Sequence, residues 1–347
     1  MRIIVRTNPG IEDLACEELR ALSSAESIEI RRGRLIADVN ENEIMNVIEK
    51  ASMIHGVSLL LYRGSIPLGK DAIDIMKEVA FNIEWEKYIT WGSSFAVRSE
   101  RVGSGHEYTS VEIASAIGEG IVRRLTEQGV SAKVYLKAPC VVVYADVIFN
   151  ELFLSVSIAG DVSLHRRWYR VEEHMASLKP SLASAMLWIA GAKDGMTILD
   201  PVCGSGTIAI EAALQLENVR IICNDISRRS VRAAIRNALA ARVRDKIVFM
   251  TLDAGELSKH IPEESVDRII CNPPYGIRLG SPETARRVLS KIFRLASNVL
   301  TADGKVVMIT PDRDYAKKAA ERESLKLFHE RAVKHGDLDA WILGFTR

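Results

Sequence analysis

The sequence predicts an α/β protein in two parts, a mixed α+β N-terminal half and a C-terminal half built on a doubly wound, mostly parallel sheet. Three observations carry this. Up to about residue 158, strand-like and helical stretches alternate without a repeating unit. A polar connector rich in Arg and His, residues 159–179, then interrupts the pattern. From Pro180 onward, short apolar runs at 197–200, 219–225, 266–272 and 305–310 are separated by helical stretches. Such runs are the mark of parallel strands covered by helices on both faces.

Taken in order, residues 2–7 read as a strand, Asn8-Pro9-Gly10 as a turn, and 11–22 as a helix with Glu12 and Asp13 in its first turn. Residues 35–39 form a short strand, and 41–52 a helix with Ile44, Val47, Ile48 and Ala51 on one face. A helix over 71–81, a strand over 94–98 and a helix over 110–126 follow. The runs 141–146 and 152–158 then read as a hairpin joined through Phe149-Asn150-Glu151.

Composition narrows the function classes. The chain has 347 residues, 48% hydrophobic and 26% charged, as an ordinary globular protein does. No apolar stretch is long enough to span a bilayer, and the charged start does not resemble a secretory signal, so no membrane association is expected. Five scattered cysteines without a CxxC pair point to neither a disulfide framework nor a zinc site, and fit a reducing cytoplasm. The histidines have no metal-like spacing, so no metal is expected. Lys and Arg (46) almost balance Asp and Glu (45), with the first 160 residues acidic by roughly five charges and the rest basic by a similar amount. Any RNA contact must therefore use local patches, such as Arg31, Arg32 and Arg34, or His165, Arg166 and Arg167.

The run 197–199 ends in Asp200-Pro201-Val202-Cys203-Gly204-Ser205-Gly206-Thr207 and passes into a helix. Glycines at a strand-to-helix turn let the backbone approach a ligand. Asp225, at the end of the next strand, can accept from ribose hydroxyls, and Asp253, after the strand 247–250, from an adenine amino group. Cys203 reads as a small lining residue. Taken alone, Gly204-Ser205-Gly206-Thr207-Ile208-Ala209 equally satisfies the dinucleotide fingerprint, so the loop leaves a methyl donor and a nicotinamide both open.

The fourth strand discriminates. Residues 266–271 run into Asn272-Pro273-Pro274-Tyr275-Gly276, where two prolines fix a rigid bend at the ligand end of the sheet. An exocyclic amine of a base is a poor nucleophile because its lone pair is delocalised into the ring. The Asn272 side-chain oxygen and the Pro273 carbonyl can accept its two N–H groups and aim the lone pair, while Tyr275 offers a flat face for an extruded base. This pattern fits amino methylation of a planar nitrogen and leaves adenine N6, cytosine N4, guanine N2 and glutamine amides open.

Together with Leu164-His165-Arg166-Arg167-Trp168-Tyr169-Arg170, these two motifs resemble those of the THUMP-containing guanine-N2 RNA methyltransferases. Lys179-Pro180-Ser181-Leu182 and the residues after it are similar to the family's helix over the methionine end of the cofactor. Ser94-Phe95-Ala96-Val97-Arg98 and Gly105-His106-Glu107-Tyr108-Thr109-Ser110 resemble the THUMP core. Trp168 stands where the family pattern leads one to expect glycine. The resemblance implies a ferredoxin-like domain at 1–52, a THUMP RNA-binding domain at 53–158, a linker at 159–179 and a Rossmann-like class I methyltransferase domain at 180–347. It implies S-adenosylmethionine as cofactor, held by Ser181, Leu182, Asp200, Cys203, Gly204, Ser205, Gly206, Thr207, Asp225, Ile226, Asp253, Ala254 and Asn272. Asn272, Pro273 and Tyr275 would be catalytic, and Arg98 and Arg101 would join Arg31, Arg32, Arg34, His165, Arg166 and Arg167 in contacting RNA. The implied substrate is guanosine at the sixth nucleotide of tRNA, in the acceptor stem, bound by a monomer that also holds the CCA end. Another tRNA position or ribosomal RNA is the alternative, with an oxidoreductase or a non-catalytic RNA-binding protein further off. His335-Gly336-Asp337 reads as a hairpin turn, with a target-base contact as its other reading.

Overall fold

The computed structural model describes residues 1–160, 164, 167–172, 177–276, 281–336 and 338–347. They divide into two units, Met1–Arg6 with Leu19–Leu164 and Thr7–Glu18 with His165–Arg347.

The first unit is organised on one sheet, to which Thr7 also contributes. Its strands are β1 (Arg2–Thr7), β2 (Ile28–Arg31), β3 (Arg34–Asp38), β4 (Ile54–Ser65), β5 (Ser94–Val102), β6 (Lys133–Val134), β7 (Val141–Ile148) and β8 (Glu151–Ser157). They lie in the order β2-β3-β1-β4-β8-β7-β5-β6. Helices α1 (Glu12–Leu22) and α2 (Ile44–Lys50) come from the first fifty residues, while α3 (Ala72–Phe81) and α4 (Ser110–Glu127) lie farther along the chain. α4 starts at the capping residues of its sequence. Thr109 accepts from the Glu112 backbone N–H (3.2 Å) and Glu112 accepts from that of Thr109 (2.7 Å), so two donors at the helix start are satisfied reciprocally. α3 and α4 approach so closely that a Cβ on Gly120 would stand 2.4 Å from the Lys77 carbonyl oxygen. Trp85, Phe95, Tyr108 and Ile117 fill the core beside them.

Two expectations change here. The helix over 41–52 is a 3-10 turn (Glu41–Glu43) followed by a shorter α2, and β2, β4 and β6 are strands that the sequence pattern does not predict. The boundary at residue 52 is not a sheet boundary, since β1 and β4 are neighbours in one sheet.

The second unit carries β9 (Thr197–Asp200), β10 (Arg220–Asn224), β11 (Ile247–Met250), β12 (Val266–Cys271), β13 (Leu300–Thr310), β14 (Lys326–His335) and β15 (Leu338–Thr346). The helices are α5 (Pro180–Ala190), α6 (Thr207–Gln215), α7 (Arg228–Ala240), α8 (Pro282–Val299) and α9 (Arg313–Arg322). The sheet order is β11-β10-β9-β12-β13-β15-β14, with β15 antiparallel to both neighbours. Leu199, Ile269, Phe293, Met308 and Phe345 belong to its core. The order reverses between β9 and β12, and beyond the carboxyl ends of strands at such a switch point an α/β sheet binds its ligands.

Residues 7–18 pack with this second unit. Arg331 donates to Asp13 (2.7 Å) and the Lys334 backbone N–H to the Pro9 carbonyl (3.3 Å). Gly10, at φ 99°, lies against β14 so tightly that a Cβ there would stand 2.2 Å from the Ala332 carbonyl oxygen.

Candidate active site

The expected motifs meet at the carboxyl ends of β9, β10 and β12. The loop after β9 contains Gly204 at φ 54° and Gly206 at φ 84°. The two glycines answer different needs. A Cβ on Gly204 would meet no atom within 4 Å, so the chain leaves open space above the loop. A Cβ on Gly206 would stand 2.9 Å from that of Ala234, because α7 packs against the start of α6. The backbone N–H of Cys203 donates to the Asn224 carbonyl (2.7 Å), tying loop to neighbouring strand.

Asp225 is already engaged with the loop it was expected to serve. One carboxylate oxygen accepts from the Gly204 N–H (2.9 Å), the other from that of Ser227 (2.8 Å). A carboxylate oxygen has a second lone pair, so ribose hydroxyls can still be accepted. Asp253 accepts from the Gly255 N–H (2.8 Å) and from the Lys291 ammonium (2.9 and 2.7 Å), which holds its carboxyl below the ordinary range. Asp200 is buried, and burial, then the nearby Asp225 charge, push its carboxyl well above the usual range, against the hydrogen bond from the Val202 N–H. Asp225 and Asp253, with the open glycine loop after β9, suit a ligand bearing ribose hydroxyls and an exocyclic amine. The fit to S-adenosylmethionine is therefore good on the chemistry of the donor set. Ile226 is exposed beside Asp225, whereas Cys203, Ala254, Ser205, Thr207, Ser181 and Leu182 are buried.

Asn224 is a site residue that sequence reasoning missed. Fully buried, it donates to the carbonyls of Pro201 (2.9 Å) and Leu252 (3.0 Å) and accepts from the Leu252 N–H (3.0 Å), fastening the loops after β9 and β11 to β10. Its signal is an amide inside an otherwise apolar strand, a residue that must find partners if buried. Glu211 is a second. It lies 1% exposed on α6 and accepts from Tyr169 (2.7 Å), Arg167 (3.0 Å), Ser184 (3.3 Å) and Gln215 (3.2 Å).

At the end of β12, Asn272 and Tyr275 are half-buried and Pro273 is buried. The Tyr275 hydroxyl donates to Asn272 Oδ1 (2.7 Å) and lies 2.9 Å from His335 Nδ1, on the last residue of β14. The His335 and Tyr275 rings meet edge to face, 5.8 Å apart. The sequence motif gives Tyr275 a stacking face and its hydroxyl no role, yet the hydroxyl is engaged.

The arginines separate. Arg34 is buried against Asp146 (3.0 Å) and Glu100 (2.8 Å), and its guanidinium is unavailable to a phosphate. Arg31 pairs with Glu29 and Glu151, and Arg167 is spent on Glu211 inside the second unit. A guanidinium committed to carboxylates presents less charge to a phosphate backbone, so these three are not among the cations assigned to RNA below. Arg32 and Arg101 are exposed, and Arg98 is half-buried with one N–H on the Leu136 carbonyl (2.6 Å). His165 and Arg166 lie outside the described residues. Among the described residues there is no cluster of three metal-capable side chains and no helix long and apolar enough to cross a membrane.

Residues 167–340 match the model of the RMKL-like methyltransferase domain, and residues 70–157 that of the THUMP domain. A tRNA (guanine(6)-N2)-methyltransferase of Archaeoglobus fulgidus is 32% identical, over 99% of this chain and 92% of its own. The chain belongs to the THUMP-bearing, RMKL-like methyltransferase family. A further relative, the tRNA (guanine(6)-N2)-methyltransferase of Thermus thermophilus, is 34% identical over 95% of each chain. The crystal structure of TrmN from Thermus thermophilus superposes with a TM-score of 0.83 at 31% identity, over 100% of this chain and 99% of that one. The methyltransferase is S-adenosylmethionine-dependent, and the nicotinamide reading of its glycine loop falls away. Its seven-stranded sheet is the class I methyltransferase fold that the resemblance implied.

Asp225→Ala would remove the clasp on the Gly204 N–H and the carboxylate expected to accept the ribose hydroxyls. S-adenosylmethionine binding is expected to weaken by about 1.5–3 kcal/mol, the range for a hydrogen bond to a charged group. Unchanged affinity by calorimetry in a folded variant would mean that the ribose is held elsewhere.

Proposed function

We propose that this methyltransferase acts on the exocyclic N2 of the guanosine at position 6 of tRNA and leaves N2-methylguanosine. The observation that carries the amine chemistry is the Asn272-Pro273-Pro274-Tyr275 bend, set at the end of β12, the neighbour of β9 with its glycine loop. The choice of guanosine N2 at position 6 is supported by relatives named tRNA (guanine(6)-N2)-methyltransferases that match nearly the whole chain. The cofactor supplies an electrophilic methyl group. Asp225 and Asp253 receive its ribose and adenine polar groups, and the exposed Ile226 gives an apolar surface for the ring. The second lone pair of Asn272 Oδ1 accepts one amine N–H and the Pro273 carbonyl accepts the other, so the nitrogen lone pair is directed rather than left in the ring plane. No strong base is needed, since the proton becomes acidic as charge builds on nitrogen.

The THUMP-bearing unit binds tRNA at its acceptor end, including the single-stranded CCA. Arg32, Arg98 and Arg101 are the cations we assign to it, with Arg166 and His165 as connector contacts. The enzyme works as a cytoplasmic monomer without a metal. Binding should weaken steeply with salt despite the near-zero net charge, because local contacts release counterions.

Nucleoside mass spectrometry tests this directly. Unmodified tRNA incubated with the enzyme and S-adenosylmethionine should gain N2-methylguanosine at position 6, and tRNA lacking CCA should be a poorer substrate. N6-methyladenosine or N4-methylcytidine as product would overturn the substrate while sparing the amine chemistry.

A further inference from the structure

Counting protons around Tyr275 leads to a role for His335. The hydroxyl has one proton and two close neighbours, Asn272 Oδ1 at 2.7 Å and His335 Nδ1 at 2.9 Å. An amide oxygen can only accept, so the tyrosine proton points to Asn272. His335 must then donate, through Nδ1–H. The opposite chain has nearly the same geometry: the Asn272 amide turned over, its NH₂ donating to the tyrosine oxygen, and the tyrosine donating to a bare His335 Nδ1. That chain puts a donor where the substrate amine needs an acceptor. The two arrangements differ in polarity, and the proton on Nδ1 selects between them.

We propose that His335 is a positioning residue that keeps a proton on Nδ1 toward Tyr275 and thereby fixes Asn272 with its oxygen, not its nitrogen, at the amine site. The inference rests on the amine-placing role proposed for Asn272. Its support is geometric. β14 and β15 pair up to His335 and Leu338, and Gly336 at φ 64° begins the tight turn that leaves His335 as the final paired residue of its strand. The edge-to-face contact, with an interplanar angle of 87°, holds both rings while the hydroxyl bridges. Burial pushes the Tyr275 hydroxyl up from its ordinary value, so it stays a proton donor. The neutral ring donates through Nδ1 in its Nδ1–H tautomer, which is the form the proposal assigns.

Four variants of the full chain test it, after the wild-type product has been identified: His335→Asn, His335→Asp, His335→Ala and Tyr275→Phe. Asparagine can present an N–H near the position of Nδ1, whereas an ionised aspartate can only accept and would pull the tyrosine proton away from Asn272. We expect His335→Asn to keep most of the wild-type kcat. His335→Ala should lower it about tenfold, the scale of one hydrogen bond, and His335→Asp should lower it further. Tyr275→Phe should fall at least as far as His335→Ala, and adding His335→Ala to it should cost little more, because both remove one chain. KM for tRNA and the calorimetric Kd for S-adenosylmethionine should stay within about twofold throughout, which a loss of local folding would not allow. Equal kcat in the asparagine and aspartate variants, or full multiplicativity of His335→Ala with Tyr275→Phe, would overturn the proposal. A wild-type product other than N2-methylguanosine would instead overturn the substrate reading, and the ranking of the variants on the actual product would still decide the role of His335.

Discussion

Asn272→Ala is expected to lower kcat by about 10²–10³-fold, the loss seen when one preorganised hydrogen-bonding group at a reacting centre is removed. The amine would lose the acceptor that directs its lone pair, and the Tyr275 hydroxyl its partner at 2.7 Å. Cofactor affinity should change little, because the loop after β9 is held without Asn272, by Gly204 on Asp225 and by Cys203 on Asn224. Single-turnover rates beside calorimetry with S-adenosylmethionine separate the two quantities. A parallel loss of affinity would make Asn272 chiefly a cofactor ligand, the other role its position allows.

The second large effect falls on stability, in the first unit. Asp146 is fully buried between the guanidiniums of Arg6 (2.6 Å) and Arg34 (3.0 Å), and Arg34 is buried with it. Replacing Asp146 by Ala strands two cations, at a cost of about 3–5 kcal/mol for a broken buried pair. Burial alone would push the carboxyl up, but the two arginines outweigh it and hold the carboxyl below its ordinary value. A folded pKa below the unfolded one gives stability that is present above about pH 3.9 and is lost as pH falls through the folded value. Hydrogen exchange of the sheet amides between pH 7 and 3 should therefore show an acid-dependent opening that Asp146→Asn flattens. A variant as stable as the wild type at neutral pH would mean that the arginines re-pair with Glu100 and others at no cost.

Much of this is legible in the sequence because it is local. The β9 and β12 motifs declare themselves through glycine and proline, and α4 through Thr109 and Glu112. The hidden part depends on distance along the chain. Arg31-Arg32-Gly33-Arg34 reads as a basic patch until Asp146, 112 residues beyond Arg34, arrives beside it. Glu211 looks like one more helical carboxylate, since Arg167 and Tyr169 lie 44 and 42 residues earlier. β4 escapes for a different reason. Its twelve residues include Gly56 and Gly64 and are mostly half-buried, so no alternation of apolar and polar positions marks them. The Glu211 cluster also bears on where the chain could be cut. A chain begun at Pro180 would leave a buried carboxylate without Arg167 and Tyr169, and is a poor test of how the two units divide their work.

The pairing of Asp13 with Arg331, 318 residues apart, has a consequence for synthesis. On the ribosome, residues 7–18 are made more than 300 residues before β14 and cannot meet it until that strand has followed. At roughly 5–20 residues per second they wait about 15–60 s. The second unit is thus completed by a segment made long before its own strands, so the docking of residues 7–18 on β14 is expected to be a late step in its folding.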